Sequence, residues 1–142
     1  EALEHNPFKG PRRVIDVSGD GPNNSGTLLV PIRDRLVKQG IVINGLPILL
    51  KDGGPNSAFD IPDLDRYYAD CVIGGTAAFS IPVRKKEEFG AAIRQKMVQE
   101  ISGLVPDRPA RIFRTQISGR EEPADCQIGE KLWQRYMNGG FR

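Results

Sequence analysis

The most constraining stretch of the chain is residues 12–26, Arg-Arg-Val-Ile-Asp-Val-Ser-Gly-Asp-Gly-Pro-Asn-Asn-Ser-Gly. A β-branched run at Val14, Ile15 and Val17 breaks abruptly into Gly19, Asp20, Gly21, Pro22, Asn23 and Asn24. β-Branched side chains favour extended backbone, and Gly, Asp, Asn and Pro then close it in a tight loop. The passage predicts a buried strand that stops at a polar loop. A strand covered on both faces belongs in a sheet flanked by helices, which means an α/β domain. In open sheets of that kind, ligands bind outside the carboxyl ends of the strands. Asp20 therefore stands where a carboxylate can meet a metal ion or a polar ligand.

The segments that follow fit this start. Leu28, Leu29, Ile32, Leu36 and Val37 recur at three- to four-residue spacing and predict a helix with one apolar face. Thr27 is the expected N-cap, Pro31 suits the first turn, and Gly40 suits a left-handed stop. Residues 41–50 are apolar almost throughout and predict a second strand, with Pro47 at its end or at a bulge. Strand, helix and strand make one right-handed βαβ unit. A surface loop is expected over 51–62, with Gly53, Gly54, Pro55 and Asn56. Asp60 or Asp63 then opens a short helix to about Ile73, carrying Leu64, Tyr67, Tyr68 and Cys71 and stopped by Gly74 and Gly75. Residues 77–83 predict a third strand. Phe89, Ala92, Ile93, Met97 and Ile101 predict an amphipathic helix ended by Gly103. Beyond it, Pro106 and Pro109 read as a linker, 110–117 as a short strand, and 129–138 as a short helix. Trp133 and Tyr136 of that helix are expected to dock on the body of the domain.

Three passages together carry a family resemblance: Val-Ile-Asp-Val-Ser-Gly-Asp-Gly-Pro-Asn-Asn from Val14, Ile-Val-Ile-Asn-Gly-Leu-Pro-Ile from Ile41, and Tyr-Tyr-Ala-Asp-Cys-Val-Ile-Gly-Gly from Tyr67. Over about residues 6–103 the chain resembles a family of uncharacterised bacterial proteins with the von Willebrand factor type A fold. The resemblance implies a Rossmann-like three-layer sandwich, here a partial parallel sheet of three strands flanked by helices. Residues 1–103 would form this partial domain and 104–142 a small C-terminal extension. It also implies a metal-ion-dependent adhesion site, in which Mg2+ or another divalent cation rests on three loops. Their motifs are an Asp-x-Ser-x-Ser after the first strand, a Thr in a middle loop, and an Asp-Gly after the fourth strand. Asp20-Gly21 matches the third, and the other two have no counterpart. Asp16-x-Ser18 imitates the first motif, but Asp20 stands where a second Ser is needed, and Asp16 falls inside the strand. On this reading Asp20 is the metal ligand, with Ser18, Asn23 and Asn24 beside it as ligand-binding residues.

Other chemistries fit less well. Gly21 and Gly26 have phosphate-loop spacing, but Thr27 occupies the Lys position. Gly19 and Gly21 begin a dinucleotide fingerprint, but Asn24 occupies the place of the third Gly. Asp20 and Asn23 also have a purely structural reading, as side chains that close turns. His5 is the only histidine and has no cysteine or carboxylate cluster around it, so no Ser-His-Asp or Cys-His grouping is available. The carboxylate pairs Asp63/Asp65 and Glu87/Glu88 sit at helix starts, where the dipole favours them. A non-catalytic binding domain is the leading expectation. A metal-free structural or interaction domain is the alternative, and a phosphate-binding enzyme domain is the weaker third.

Charge and hydropathy narrow the partners. The net charge is +2; residues 1–103 hold 13 basic and 13 acidic side chains, and the tail holds seven and five. That asymmetry is too small to propose nucleic-acid binding. No apolar stretch approaches the ~20 residues of a membrane span. The chain begins Glu-Ala-Leu-Glu without an initiator Met, which reads as a fragment or a processed product. Proteins of the family it resembles often carry an export signal, which favours an extracytoplasmic site.

The two cysteines, Cys71 and Cys126, are not a disulfide framework, and their spacing fits no zinc motif. The simpler expectation is two separate thiols, with Cys71 packed as a small apolar residue. In an exported protein they could instead tie the tail to the short helix. In the fold that the resemblance implies, residues 13–18 are a central strand with one unpaired edge. The protein's absent N-terminal half, the tail segment 111–117, or a second copy of the chain is expected to cover it.

Overall fold

The computed structural model describes residues 7, 10–50, 59–102 and 122–139. β1 (Arg13–Gly19), α1 (Leu29–Lys38) and β2 (Ile41–Pro47) form the expected strand–helix–strand unit. β1 and β2 run parallel, in register from Arg13 beside Ile41 to Gly19 beside Pro47. α1 starts at Leu29, preceded by Leu28 and without a side-chain cap, so Thr27 does not cap it. The Thr27 carbonyl instead accepts a hydrogen bond from Asn23 Nδ2 at 3.3 Å, which keeps that residue in the preceding loop. Gly40 takes φ 75° as expected, and its N–H bonds the Val37 carbonyl at 2.9 Å.

Among the described residues the regular sheet has two strands rather than the expected three. Residues 79–83 do run beside β2, but only through isolated parallel bridges, Gly45 with Ser80 and Ile48 with Val83. The hydrogen bonds explain the interruption. Gly45 N–H bonds Phe79 O, Ile81 N–H bonds Gly45 O, Val83 N–H bonds Pro47 O, and Leu49 N–H bonds Val83 O, all within 2.7–3.0 Å. An unbroken parallel ladder also needs a bond from residue 47 to Ile81 O, and Pro47 has no N–H to give. Ala77 and Ala78 are lost from the expected strand for another reason. Ala77 takes φ 60°, and Ala78 N–H folds back on Gly75 O at 3.2 Å. The described residues therefore form a small parallel α/β arrangement, in which 79–83 join β2 by bridges and not as a regular third strand. Among the described residues, β2 is the strand that pairs with β1, and the other edge of β1 has no strand on it.

Helices cover both faces of the pair. α2 (Leu64–Tyr67) runs on into a π-helical turn over Tyr68–Val72. Leu64, Tyr67, Tyr68, Cys71 and Val72 form one core cluster, packed by Val17 of β1 and Leu29 and Val30 of α1. Gly45 is required there, since a Cβ on it would stand 2.7 Å from Tyr68 Cδ1. The opposite face carries Asp16, Asn44 and Leu46, because side chains alternate along a strand. α3 (Phe89–Ser102), entered by a single 3-10 turn at Lys86–Glu88, covers that face. Leu46, Ile81, Val83 and Ala92 form its cluster, with Phe79 and Ile93 against them.

The expected apolar face of α3 is only partly the buried one. Met97 and Ile101 are 56% and 86% exposed, and the buried residues are Ala92 and Lys96. The sheet beneath is polar at Asp16 and Asn44, so it draws in the Lys96 ammonium rather than a thioether.

Cys71 and Cys126 are disulfide-bonded, with Cα atoms 5.5 Å apart, which corrects the expectation of separate thiols. Cross-linking across 55 residues contributes about 4 kcal/mol in the chain-entropy treatment. The bond brings α4 (Ile128–Met137) onto the body of the domain. Trp133 and Tyr136 lie against the Phe59 ring, at centroid distances of 5.9 and 5.7 Å, yet stay 39% and 52% exposed. His5, the loop glycines Gly53 and Gly54, the stop at Gly103, the prolines Pro106 and Pro109, and the expected strand 110–117 lie outside the described residues.

Candidate functional site

The loop 19–26 leaves β1 at its carboxyl end, as its Gly-Asp-Gly-Pro composition predicted. Ser18 and Asp20 are both exposed, while Asn23 and Asn24 are half-buried and Pro22 is buried. Ser18 is the penultimate residue of β1, and Asp20 is the first residue after it. The other half of the loop turns inward and packs.

Two adjacent tyrosines hold that inner half. Tyr67 Oη accepts the Asn23 backbone N–H at 3.1 Å, and Tyr68 Oη donates to the Gly19 carbonyl at 3.4 Å. The same carbonyl accepts Ile48 N–H at 2.9 Å, which ties the loop to the end of β2. Burial raises the pKa of Tyr67, against the lowering effect of the Asn23 N–H. Burial pushes Tyr68 up to about 12, helped by Tyr67 and by the negative charge of Asp20. Both phenols are therefore neutral hydrogen-bonding groups near neutral pH and not bases.

α4 closes on the loop from the other side. Asn23 Nδ2 donates to Glu130 Oε1 at 2.6 Å, across 107 residues of sequence. Gly129 is buried against the loop backbone, where a Cβ would stand 2.1 Å from Asn23 O and 2.7 Å from its carbonyl carbon. Only glycine allows that approach. Glu130 Oε2 is buried without a hydrogen-bond partner.

The expected site residues thus separate. Ser18 and Asp20 face outward. The Asn23 amide group donates within the protein, to Glu130 and to Thr27, which gives it a role in shaping the loop. Asn24, next in the sequence, is half-buried. Among the described residues no group of three or more His, Cys, Asp or Glu side chains is placed to hold a metal ion. Asp20 alone does not make a closed cation site. Sequence reasoning missed Gly129 and Glu130 as loop-holding residues. It took Tyr67 and Tyr68 only as helix residues on one face, although that spacing did signal their burial.

A second polar group lies under α3. Lys96 Nζ is 2.6 Å from Asp16 Oδ1 and 2.6 Å from Glu100 Oε1. Asn44, fully buried, donates to Glu100 Oε1 at 3.3 Å and accepts Phe79 N–H at 3.2 Å. Burial lowers the Lys96 pKa, but the hydrogen bonds and charges of Asp16 and Glu100 outweigh it and leave the value raised. This cluster is mutually satisfied and fastens α3 to both strands. It gives Asp16 a structural part, in agreement with its position inside the strand.

Fold and loop together define the class: a small α/β domain whose candidate site is the loop after the first of two parallel strands. The chain belongs to an uncharacterised bacterial family, described as Protein of unknown function (DUF1194), whose model matches residues 1–105. No curated protein and no solved structure matches the chain. α4, with Gly129 and Glu130, lies beyond the matched region. Among the described residues no helix is long and apolar enough to cross a membrane.

Proposed function

We propose that this chain is a non-catalytic binding domain of the von Willebrand factor type A kind. It docks a protein ligand at the carboxyl end of its parallel strands, through a divalent cation such as Mg2+ held at Asp20. The supporting observation is the position of Asp20, an exposed carboxylate one residue after β1. That is the end of a parallel sheet at which ligands collect. Ser18, exposed two residues earlier, adds a hydroxyl oxygen, and hard cations take oxygen ligands. One carboxylate leaves most coordination positions to water, to a carboxylate of the ligand, and to chain outside the described residues. The affinity of this chain by itself is accordingly weak. The disulfide adds support for an extracytoplasmic location, since such bonds persist in oxidising compartments.

A second reading has its own observation. The Asn23 amide is engaged internally, and the described residues offer no cluster of three metal donors. In that reading the loop is a metal-free protein-binding surface. Calorimetric titration with Mg2+ and Mn2+ separates the two. Binding heat that disappears in Asp20→Ala supports the cation site. Heat that is unchanged in Asp20→Ala, or absent throughout, favours the metal-free surface.

A further inference from the structure

We propose that residues 122–139 form a redox-releasable strap, held over loop 19–26 by the Cys71–Cys126 disulfide. Its effect on ligand docking rests on the reading of that loop as the site; the release of the loop does not.

α4 grips the loop at Asn23, through the Glu130 carboxylate and through the close approach of Gly129. Away from that grip its first turn packs by Ile128 on the core cluster, and its later turns are largely open. Trp133, Tyr136 and Met137 are 39%, 52% and 64% exposed, and Gly129 is its one buried residue. Closure also strands Glu130 Oε2 without a partner, and an unpaired buried carboxylate oxygen opposes the closed form. The other ties from 122–139 to the body include the Ala124 N–H to Asp70 Oδ2 at 2.9 Å, at an exposed position. A helix with a single buried residue draws much of its hold from the covalent link.

Cys126 is the more accessible end of the link. Cys71 is fully buried, while Cys126 is half-buried. A dithiol reductant approaches Cys126, and its thiolate bonds to Cys126 Sγ. The disulfide bond breaks, its electron pair passes to Cys71 Sγ, and that sulfur takes up a proton. The second thiol of the reductant then attacks its own sulfur in the mixed disulfide and frees Cys126 as a thiol. The protein gains two electrons and two protons, and the reductant leaves as a disulfide. With α4 released, Asn23 loses Glu130 and the steric wall of Gly129 but keeps its backbone bond to Tyr67. The loop can then adjust around Asp20.

Hydrogen exchange read by mass spectrometry tests this on the full chain, oxidised and after dithiol treatment. Cys126→Ser serves as a second route to release, and Gly129→Ala perturbs the grip with the disulfide intact. The expected result is exchange over 20–26 accelerated roughly tenfold or more, with β2 protection kept. Gly129→Ala should give a smaller acceleration in the same peptides. Loop exchange unchanged while alkylation shows both thiols free would overturn the strap. So would equal acceleration in β2, which would make the bond a general staple of the fold. If the loop is released yet takes up no Mn2+ in either state, the strap stands and the docking reading fails.

Discussion

Replacing Lys96 with Met removes the cation that joins α3 to β1 and keeps most of the buried stem. Lys96 makes two charged hydrogen bonds of 2.6 Å, to Asp16 and to Glu100. Such bonds are worth about 1.5–3 kcal/mol each when shielded. The Glu100 side chain is 20% exposed, so that arm keeps most of its value. The Asp16 side chain is 40% exposed, and solvent reduces that arm to under about 1 kcal/mol. Relief from burying an ammonium offsets part of the sum. The expected loss is about 2–3 kcal/mol, and Glu100→Gln should cost more than Asp16→Asn. Urea unfolding checks this, as a lower midpoint at unchanged slope. A Lys96→Met loss below about 0.5 kcal/mol, or the reverse order of the two carboxylate variants, would refute the reasoning.

Other outcomes follow from the same contacts. Gly45→Ala forces a Cβ to within 2.7 Å of the Tyr68 ring and 3.0 Å of Ile73 Cγ2, and should lower stability by about 1–3 kcal/mol in denaturant melts. Cys71→Ser with Cys126→Ser should loosen the docking of α4 by up to about 4 kcal/mol for the 55-residue separation, read as faster hydrogen exchange over 128–137 than in the oxidised chain. Because the Lys96 pKa is raised above 10.5, its contribution is fully present below that value and fades as pH climbs through the higher folded-state value. Melting temperatures should therefore show a loss above pH 10.5 that is absent in Lys96→Met.

The βαβ unit was legible because its signals are local. The break at Gly19 and the spacing of Leu29, Ile32 and Leu36 each act within a few residues. The third strand was half legible. Residues 79–83 do extend beside β2, but the missing bond belongs to Pro47 on the partner strand. Read as an end or bulge within its own strand, Pro47 gave no hint of that effect. α3 misled because hydrophobicity alone cannot tell which face meets Asp16 and Asn44. The disulfide and the Asn23–Glu130 bond join residues 55 and 107 positions apart, and no local pattern encodes such meetings.

The cation at Asp20 is tested most directly by titrating Mn2+ into isotope-labelled protein and following paramagnetic broadening of backbone amides. This detects weak sites and locates them. Broadening should centre on residues 18–24 and be abolished by Asp20→Ala, with the rest of the spectrum preserved. Broadening spread evenly over the acidic surface, or the same pattern with and without the Asp20 carboxylate, would contradict it.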